Sequence, residues 1–338
     1  MNCTIIIPVI KVNKLLLEVV KKCSTFHSNL PINIVFNKKS KDFALPKRVK
    51  LIKTLETNIS TKRNIGVRKA NTRYIAFLDS DAYPERNWFK NATKILEKDL
   101  SVGIVTGPEI SFPNQNFIEN AVGISNRSFL ITGAHNFRKS LTKSRFYSEA
   151  SACNMIMRKV DYESLNGMNS KVYLGEDQEF SNRIIKQLNK TIFFSNNVRV
   201  YHKDRDLKGY LVQRFARGIA STGFFFKLKN FCRNISLNNF LNQRFETCIP
   251  LFFVCFLITI PFSYLFDTWR LIYFFILSLY FILIFLEALK LNYNNLKYFF
   301  IVYVLLILGT IVPGCAQLSK LINFKINIEN FYRNKNDE

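Results

Sequence analysis

The sequence predicts an α/β fold: a Rossmann-like domain with a mainly parallel sheet over residues 1–205, interfacial helices over 206–246, membrane helices over 247–320 and a polar tail over 321–338. Three observations predict it. Short runs that are apolar on both faces alternate with helical spacing through the first 110 residues, which is the pattern of βαβ units and a buried parallel sheet. A basic, aromatic stretch follows from about residue 206. The last quarter then carries three uncharged apolar segments, 248–265, 271–286 and 298–318.

Taken in order, residues 4–9 read as a first strand ended by Pro8, and 14–26 as a helix with Leu15, Leu16, Val19 and Val20 at helical spacing. Residues 32–36 and 49–53 are the next strands, 61–70 a helix, and 74–78 a strongly apolar strand. A further helix is expected over 176–188, where Phe180, Ile184, Ile185 and Leu188 form one face. Between 207 and 245, Gln213-Arg214-Phe215, Arg217, Phe224 to Phe226, Lys227, Lys229 and Arg233 read as an interfacial helix pair.

A bilayer core needs roughly 20 apolar helical residues, so the last quarter supplies two or three spans. These segments are apolar on all sides, unlike the amphipathic helices of a soluble core. Trp269 and the pairs Phe252-Phe253 and Phe299-Phe300 stand where interfacial aromatics do. With three spans the basic tail would lie opposite the first domain, against the positive-inside rule; with two, or with the first two segments as a hairpin around Asp267-Thr268, it would stay on the same side.

The 338-residue chain carries a formal charge of +24, and 41 of 48 Lys and Arg precede residue 248. No nucleic-acid-binding motif accompanies that charge, so membrane lipids rather than nucleic acid are the expected partner. Seven cysteines form no C-x-x-C spacing and, being odd in number, no closed disulfide framework. Reduced thiols, and an N-terminus without a basic n-region, predict that the first domain stays in the cytoplasm against the inner (plasma) membrane.

The sharpest motif is Phe77-Leu78-Asp79-Ser80-Asp81, at the end of an apolar strand. In an extended segment residues i and i+2 point the same way, so both carboxylates can aim at one cation. Mg²⁺ or Mn²⁺ takes such oxygen ligands together with substrate phosphates, as a nucleoside-diphosphate donor provides. The same D-x-D spacing also occurs in ordinary loops. Glu176 and Asp177 open a helix, where carboxylates serve either as dipole-complementing residues or as a general base. His202 is a structural imidazole or a further metal ligand. Arg214 and Arg217, close on one helical side, would contact lipid headgroups or a diphosphate.

The ordered set of motifs resembles the family 2 inverting glycosyltransferases. It comprises 4–9, Thr61-Lys62-Arg63-Asn64-Ile65-Gly66, Phe77 to Asp81, Ala152-Cys153-Asn154 through Arg158, Gly175-Glu176-Asp177 and His202. The resemblance implies a GT-A fold, Mg²⁺ or Mn²⁺, and inversion at the anomeric carbon. It implies that Pro8, Val9 and Asn37 contact the nucleoside, that Arg63, Asp79, Arg214 and Arg217 face the donor, and that Asp79, Asp81 and His202 hold the metal. Asp177 would be the base, with Glu176 and Asp177 against the acceptor. Where many relatives have an Asp that accepts from uracil, this chain has Asn37, which alters the donor and acceptor pattern offered to the base. Gln213-Arg214 with Arg217 lacks the Trp of the processive Q-x-x-R-W motif.

The function expected is transfer of a sugar from a nucleotide sugar, a UDP-sugar first, to a hydroxyl of a glycan or lipid-linked acceptor in cell-surface glycan synthesis. The other readings are a polyprenyl-phosphate sugar synthase and a non-catalytic membrane scaffold of the same fold.

Overall fold

A computed structural model describes residues 2–39, 45–172, 175–222 and 248–322. The chain divides into two units, Met1–Pro113 with Phe137–Lys203, and Asn114–Asn136 with Asp204–Glu338. The first ends two residues short of the boundary expected at 205, and the second takes in a segment from within the expected catalytic domain.

In the first unit the strands are β1 (Cys3–Pro8), β2 (Lys11–Val12), β3 (Ile32–Phe36), β4 (Lys38–Lys39), β5 (Val49–Lys53), β6 (Tyr74–Phe77), β7 (Ala82–Pro84), β8 (Val102–Thr106), β9 (Glu109–Ser111), β10 (Arg145–Tyr147), β11 (Met155–Arg158), β12 (Thr191–Phe194) and β13 (Val200–His202). Its helices are α1 (Lys14–Phe26), α2 (Ile59–Arg68), α3 (Trp88–Lys98), α6 (Lys159–Ser164) and α7 (Glu176–Leu188). The main sheet runs β10-β12-β8-β11-β6-β1-β3-β5. It is mainly parallel: β1 pairs in parallel with both β3 and β6, and only β11 and β10 run against the rest. A smaller sheet, β7-β13-β9, joins segments more than 90 residues apart in sequence.

The central strands are buried along their whole length, which explains why they read as continuous apolar runs rather than alternating ones. Helix α1 is capped by Asn13, whose side chain accepts from Leu16 N, and buries Leu16, Val19, Val20 and Cys23 on the sheet. Helix α2 starts on the equivalent cap, Asn58, and approaches β1 closely at Gly66. A Cβ there would sit 2.5 Å from Ile6 Cγ2, so only glycine lets the helix settle at this depth. That depth also buries Lys62 and Arg63.

The second unit holds α4 (Phe117–Ser125), α5 (Phe129–Thr132), α8 (Leu207–Ser221), α9 (Ile249–Ile258), α10 (Asp267–Asn292) and α11 (Phe299–Leu321). Its core joins Ala121, Val122, Tyr210, Ile284, Val302 and Leu305, with Tyr210 Oη donating to the Leu305 carbonyl at 2.9 Å. Two helices, Asp267–Asn292 and Leu296–Leu321, are long and apolar enough to cross a membrane. The first apolar segment does not make a third. Its helix stops at Ile258 and Pro261 lies in the 3₁₀ turn Ile260–Leu265 that follows. Tyr273 of α10 folds back on it, stacking on Phe256 and donating to the Phe256 carbonyl, as a hairpin through Asp267 requires. Of the expected interfacial pair, α8 is present; Phe224 to Phe226, Lys227, Lys229 and Arg233 lie outside the described residues, as does most of the polar tail.

Because Gly66 admits no side chain, Gly66→Val is expected to cost about 1–3 kcal/mol or more by overpacking. The check is a lower thermal unfolding midpoint in detergent, with Gly66→Ala intermediate.

Candidate active site

The site is built entirely within the first unit, at the carboxyl ends of β1, β3 and β6, where open α/β sheets place their ligands. At the end of β1, Val9 N donates to the Val35 carbonyl, and Lys62, 2% exposed, donates from Nζ to the Val9 carbonyl at 2.8 Å. Burial lowers the Lys62 pKa to about 8. After β3, Asn37 donates from Nδ2 to the carbonyls of Thr54 (3.0 Å) and Glu56 (2.8 Å). Its Oδ1 is buried and has no hydrogen-bond partner among the described residues.

Strand β6 stops at Phe77. The Ala82 N–H donates to the Asp79 carbonyl at 3.1 Å, so 79–82 form a turn. The extended alternation expected of Asp79 and Asp81 is therefore not what directs them. Asp79 meets Arg63 (3.3 Å), whereas Asp81 lies 3.5 Å from His202 Nε2. The small sheet brings His202 in: it pairs with Ala82, and Lys203 N donates to the Asp81 carbonyl at 2.9 Å.

Arg63 has a different position from the donor contact expected of it. Its guanidinium, 2% exposed, bridges Asp79 and Glu176, the latter at 2.8 Å. Glu176, expected against the acceptor, is thus an anchor for Arg63. Burial raises the Asp79 pKa, aided by Asp81, and Arg63 opposes the rise without cancelling it. Asp177 follows Glu176 at the start of α7, behind Gly175 in the left-handed region (φ 77°). Its pKa is also raised, by burial first and then by Glu176, with Arg138 and Arg63 opposing.

Glu109 faces Arg138 and Lys139, each at 3.1 Å. Burial disfavours its charge, but the two cations outweigh burial and hold its carboxyl well below the usual range. Oxygen, sulfur and nitrogen donors of Asp79, Cys153 and His202 lie within 4.8 Å of one another, and His202 Nδ1 is buried with no hydrogen-bond partner among the described residues. This donor set fits a divalent cation.

Arg214 and Arg217 belong to the second unit. Arg214 is buried, donating to the Ile131 carbonyl (3.0 Å) and to Asn126 Oδ1 and lying over the Tyr210 ring. Neither the headgroup nor the diphosphate reading describes it; it ties α8 to the segment after α4. Arg217 is exposed on the same helix. Sequence reasoning missed Glu109, Arg138 and Lys139, and it quoted Lys62 and Cys153 within motifs without giving either a role. Each matters through contacts that the fold creates.

A buried parallel sheet that gathers carboxylates from three distant segments at its carboxyl edge belongs to an enzyme, and its class is a glycosyltransferase: residues 4–165 match the family described as Glycosyl transferase family 2. The chain carries a family 2 glycosyltransferase domain. Glu176, Asp177 and His202 lie beyond the matched residues. Among solved structures, S. aureus TarS is similar over 58% of this chain and 36% of its own, at 13% identity and a TM-score of 0.40. GalNAc-T7, solved with UDP, GalNAc and Mn²⁺, is similar over 61% of this chain and 44% of its own, at 15% identity and a TM-score of 0.46. This chain thus spans less than half the length of either. No curated protein matches it.

Removing Arg63 strands two carboxylates. Arg63→Ala is expected to destabilise the protein by somewhat less than the ~3–5 kcal/mol of a fully buried pair, since Asp79 is 34% exposed. Without Arg63 the folded-state pKa of Asp79 rises further above its unfolded value. Stability from such a group is present at low pH and lost as pH rises through the folded value. The deficit should therefore be largest at neutral pH and shrink on acidification, read as thermal midpoints between pH 5 and 8.

Proposed function

We propose that the protein is a membrane-anchored inverting glycosyltransferase that moves a sugar from a UDP-sugar to an acceptor hydroxyl in cell-surface glycan synthesis. The observation that carries this reading is the frame Asp79–Arg63–Glu176–Asp177. One guanidinium fixes both the carboxylate expected to hold a cation and the helix start that bears the expected base.

Asp79 and Asp81, with His202, would hold Mg²⁺ or Mn²⁺, which when bound offsets charge on the departing diphosphate. Asp177 takes the proton of the acceptor hydroxyl as its oxygen forms the new bond to the anomeric carbon and the bond to the diphosphate oxygen breaks on the opposite face. Its raised pKa suits that task better than an ordinary carboxylate's would. Pro8, Val9 and Asn37 line the nucleoside's side. With both amide hydrogens committed to Thr54 and Glu56, what Asn37 has left is an acceptor oxygen. Acceptance is also what an Asp offers the uracil imide N–H, and this supports UDP despite the substitution.

Helices α10 and α11 supply the membrane anchor in this reading, with the catalytic domain on the cytoplasmic side of the plasma membrane. Two spans return the basic tail to that side, in keeping with the positive-inside rule. Glycan or lipid-linked acceptors both fit such an anchor. Lipid extraction after incubation with labelled donor separates a polyprenyl-phosphate product from an extended oligosaccharide.

Asp177→Asn should lower transfer by about 10²–10⁴-fold while nucleotide-sugar binding, followed by calorimetry with Mn²⁺, is retained. Full transfer by this variant would refute the assignment. The base must be ionised, so the acid limb of kcat/KM should lie above the ordinary carboxylate range. Glu176→Gln removes the neighbouring negative charge and should move that limb to lower pH. Asn37→Ala should weaken UDP binding by about 1–3 kcal/mol, the cost of leaving a base donor unpaired.

A further inference from the structure

Cys153 has no part in the reaction proposed above, yet the fold sets its place tightly. Strand β11 pairs with β6 so that Met155 lies opposite Phe77. Just before β11, in the turn that Asn154 N closes on the Ser151 carbonyl, Cys153 comes close to Asp79 beyond the end of β6. Its neighbour Asn154 is pinned from both sides, accepting from Trp88 Nε1 and donating to the Val198 carbonyl, each at 2.8 Å. Cys153 is 4% exposed.

A buried cysteine usually behaves as a small hydrophobe among apolar neighbours. The Cys153 sulfur instead shares a 4.8 Å sphere with a carboxylate oxygen and an imidazole nitrogen. Two donors that each lie ~2.0–2.3 Å from one ion are at most about 4.6 Å apart. Around one ion at tetrahedral or trigonal angles such donors lie about 3.3–4.0 Å apart, so the three atoms need to close by up to about an ångström, a side-chain rotation, to share a cation. His202 brings one ring nitrogen to the same place.

We propose that Cys153 is a ligand of the divalent cation held by Asp79, making the site a mixed oxygen, nitrogen and sulfur set that takes Mn²⁺, Zn²⁺ or Cd²⁺ in preference to Mg²⁺. This rests on the reading of Asp79 as a cation ligand. When the sulfur–metal bond forms, the thiol proton passes to water and no redox change occurs. Magnesium demands near-octahedral oxygen ligation, and a thiolate disfavours it while selecting softer ions.

The test uses the full chain in detergent with Cys232, Cys255 and Cys315 replaced by Ser. Cys255 and Cys315 are exposed thiols that would take up Cd²⁺ themselves, and Cys232 lies outside the described residues. Titration with Cd²⁺, alone and with UDP, should give a thiolate-to-cadmium ultraviolet band that saturates at one equivalent. Cys153→Ser should abolish the band, weaken Cd²⁺ and Mn²⁺ about tenfold or more, and narrow the Mn²⁺ to Mg²⁺ affinity ratio. Should that variant fail to fold, the sulfur-to-cobalt charge-transfer band of the Co²⁺-loaded protein with Cys153 intact reads the same bond. One equivalent of Cd²⁺ bound without a band, or a band that survives Cys153→Ser, overturns the proposal and leaves the cation-dependent reading standing. Failure to bind any divalent ion, with or without UDP, sinks both.

Discussion

The catalytic unit depends on one buried cation. Arg63 sits 2% exposed between Asp79 and Glu176, 3.3 Å from the one and 2.8 Å from the other. A guanidinium suits this place because its planar fork donates in two directions at once and stays charged when buried, where a lysine ammonium would tend to lose its proton. Lys62 shows that tendency one residue earlier, its pKa lowered to about 8 by the same burial. The depth that buries both residues comes from Gly66, so a packing constraint one helical turn away decides the electrostatics of the site.

Around that cation the chain uses strand pairing to assemble donors that are distant in sequence. Asp79 and Asp81 lie on the turn after β6, Cys153 precedes β11, and His202 ends β13. His202 arrives by register with Ala82, and the others sit on short turns directly abutting the paired strands β6 and β11. The antiparallel β11, inserted between the parallel β6 and β8, is what brings residue 153 to the carboxyl end of β6. A parallel strand in that slot would present its other end. The antiparallel insertion in a mainly parallel sheet is thus a device for placing a side chain, not an irregularity.

This explains how much the sequence disclosed. Strands at 32–36 and 49–53 and helices at 14–26 and 176–188 were legible to the residue, because continuous burial and one-sided burial leave different periodicities. Asp79, Asp81 and Asp177 stood out as candidates because carboxylates at the edges of apolar elements are conspicuous, and the fold sets Asp79 and Asp177 near Arg63 and Asp81 beside His202. Arg63 and Arg214 looked alike as functional arginines and differ only in what the fold sets beside them: two carboxylates for one, a backbone carbonyl, an amide and a tyrosine ring for the other. Cys153 left no local signal, since its meaning lies in a strand pairing. The broken first apolar segment had a signal in Pro261, which composition alone does not weigh.

The charges of the site argue for a cation of more than one unit. Among the described residues the ion pairs of Asp79, Glu176 and Glu109 are with Arg63, Arg138 and Lys139, and Asp81 lies beside His202. Of these cations, Arg138 and Lys139 are engaged by Glu109 and Arg63 by Asp79 and Glu176. The surplus of negative charge, together with burial, is why the carboxyls of Asp79 and Asp177 hold their protons more readily than usual. In the proposed reading a divalent ion would pair with these carboxylates and offset the charge of an entering diphosphate. Arg63, Arg138 and Lys139 hold carboxylates in place, which leaves that part of the task to such an ion.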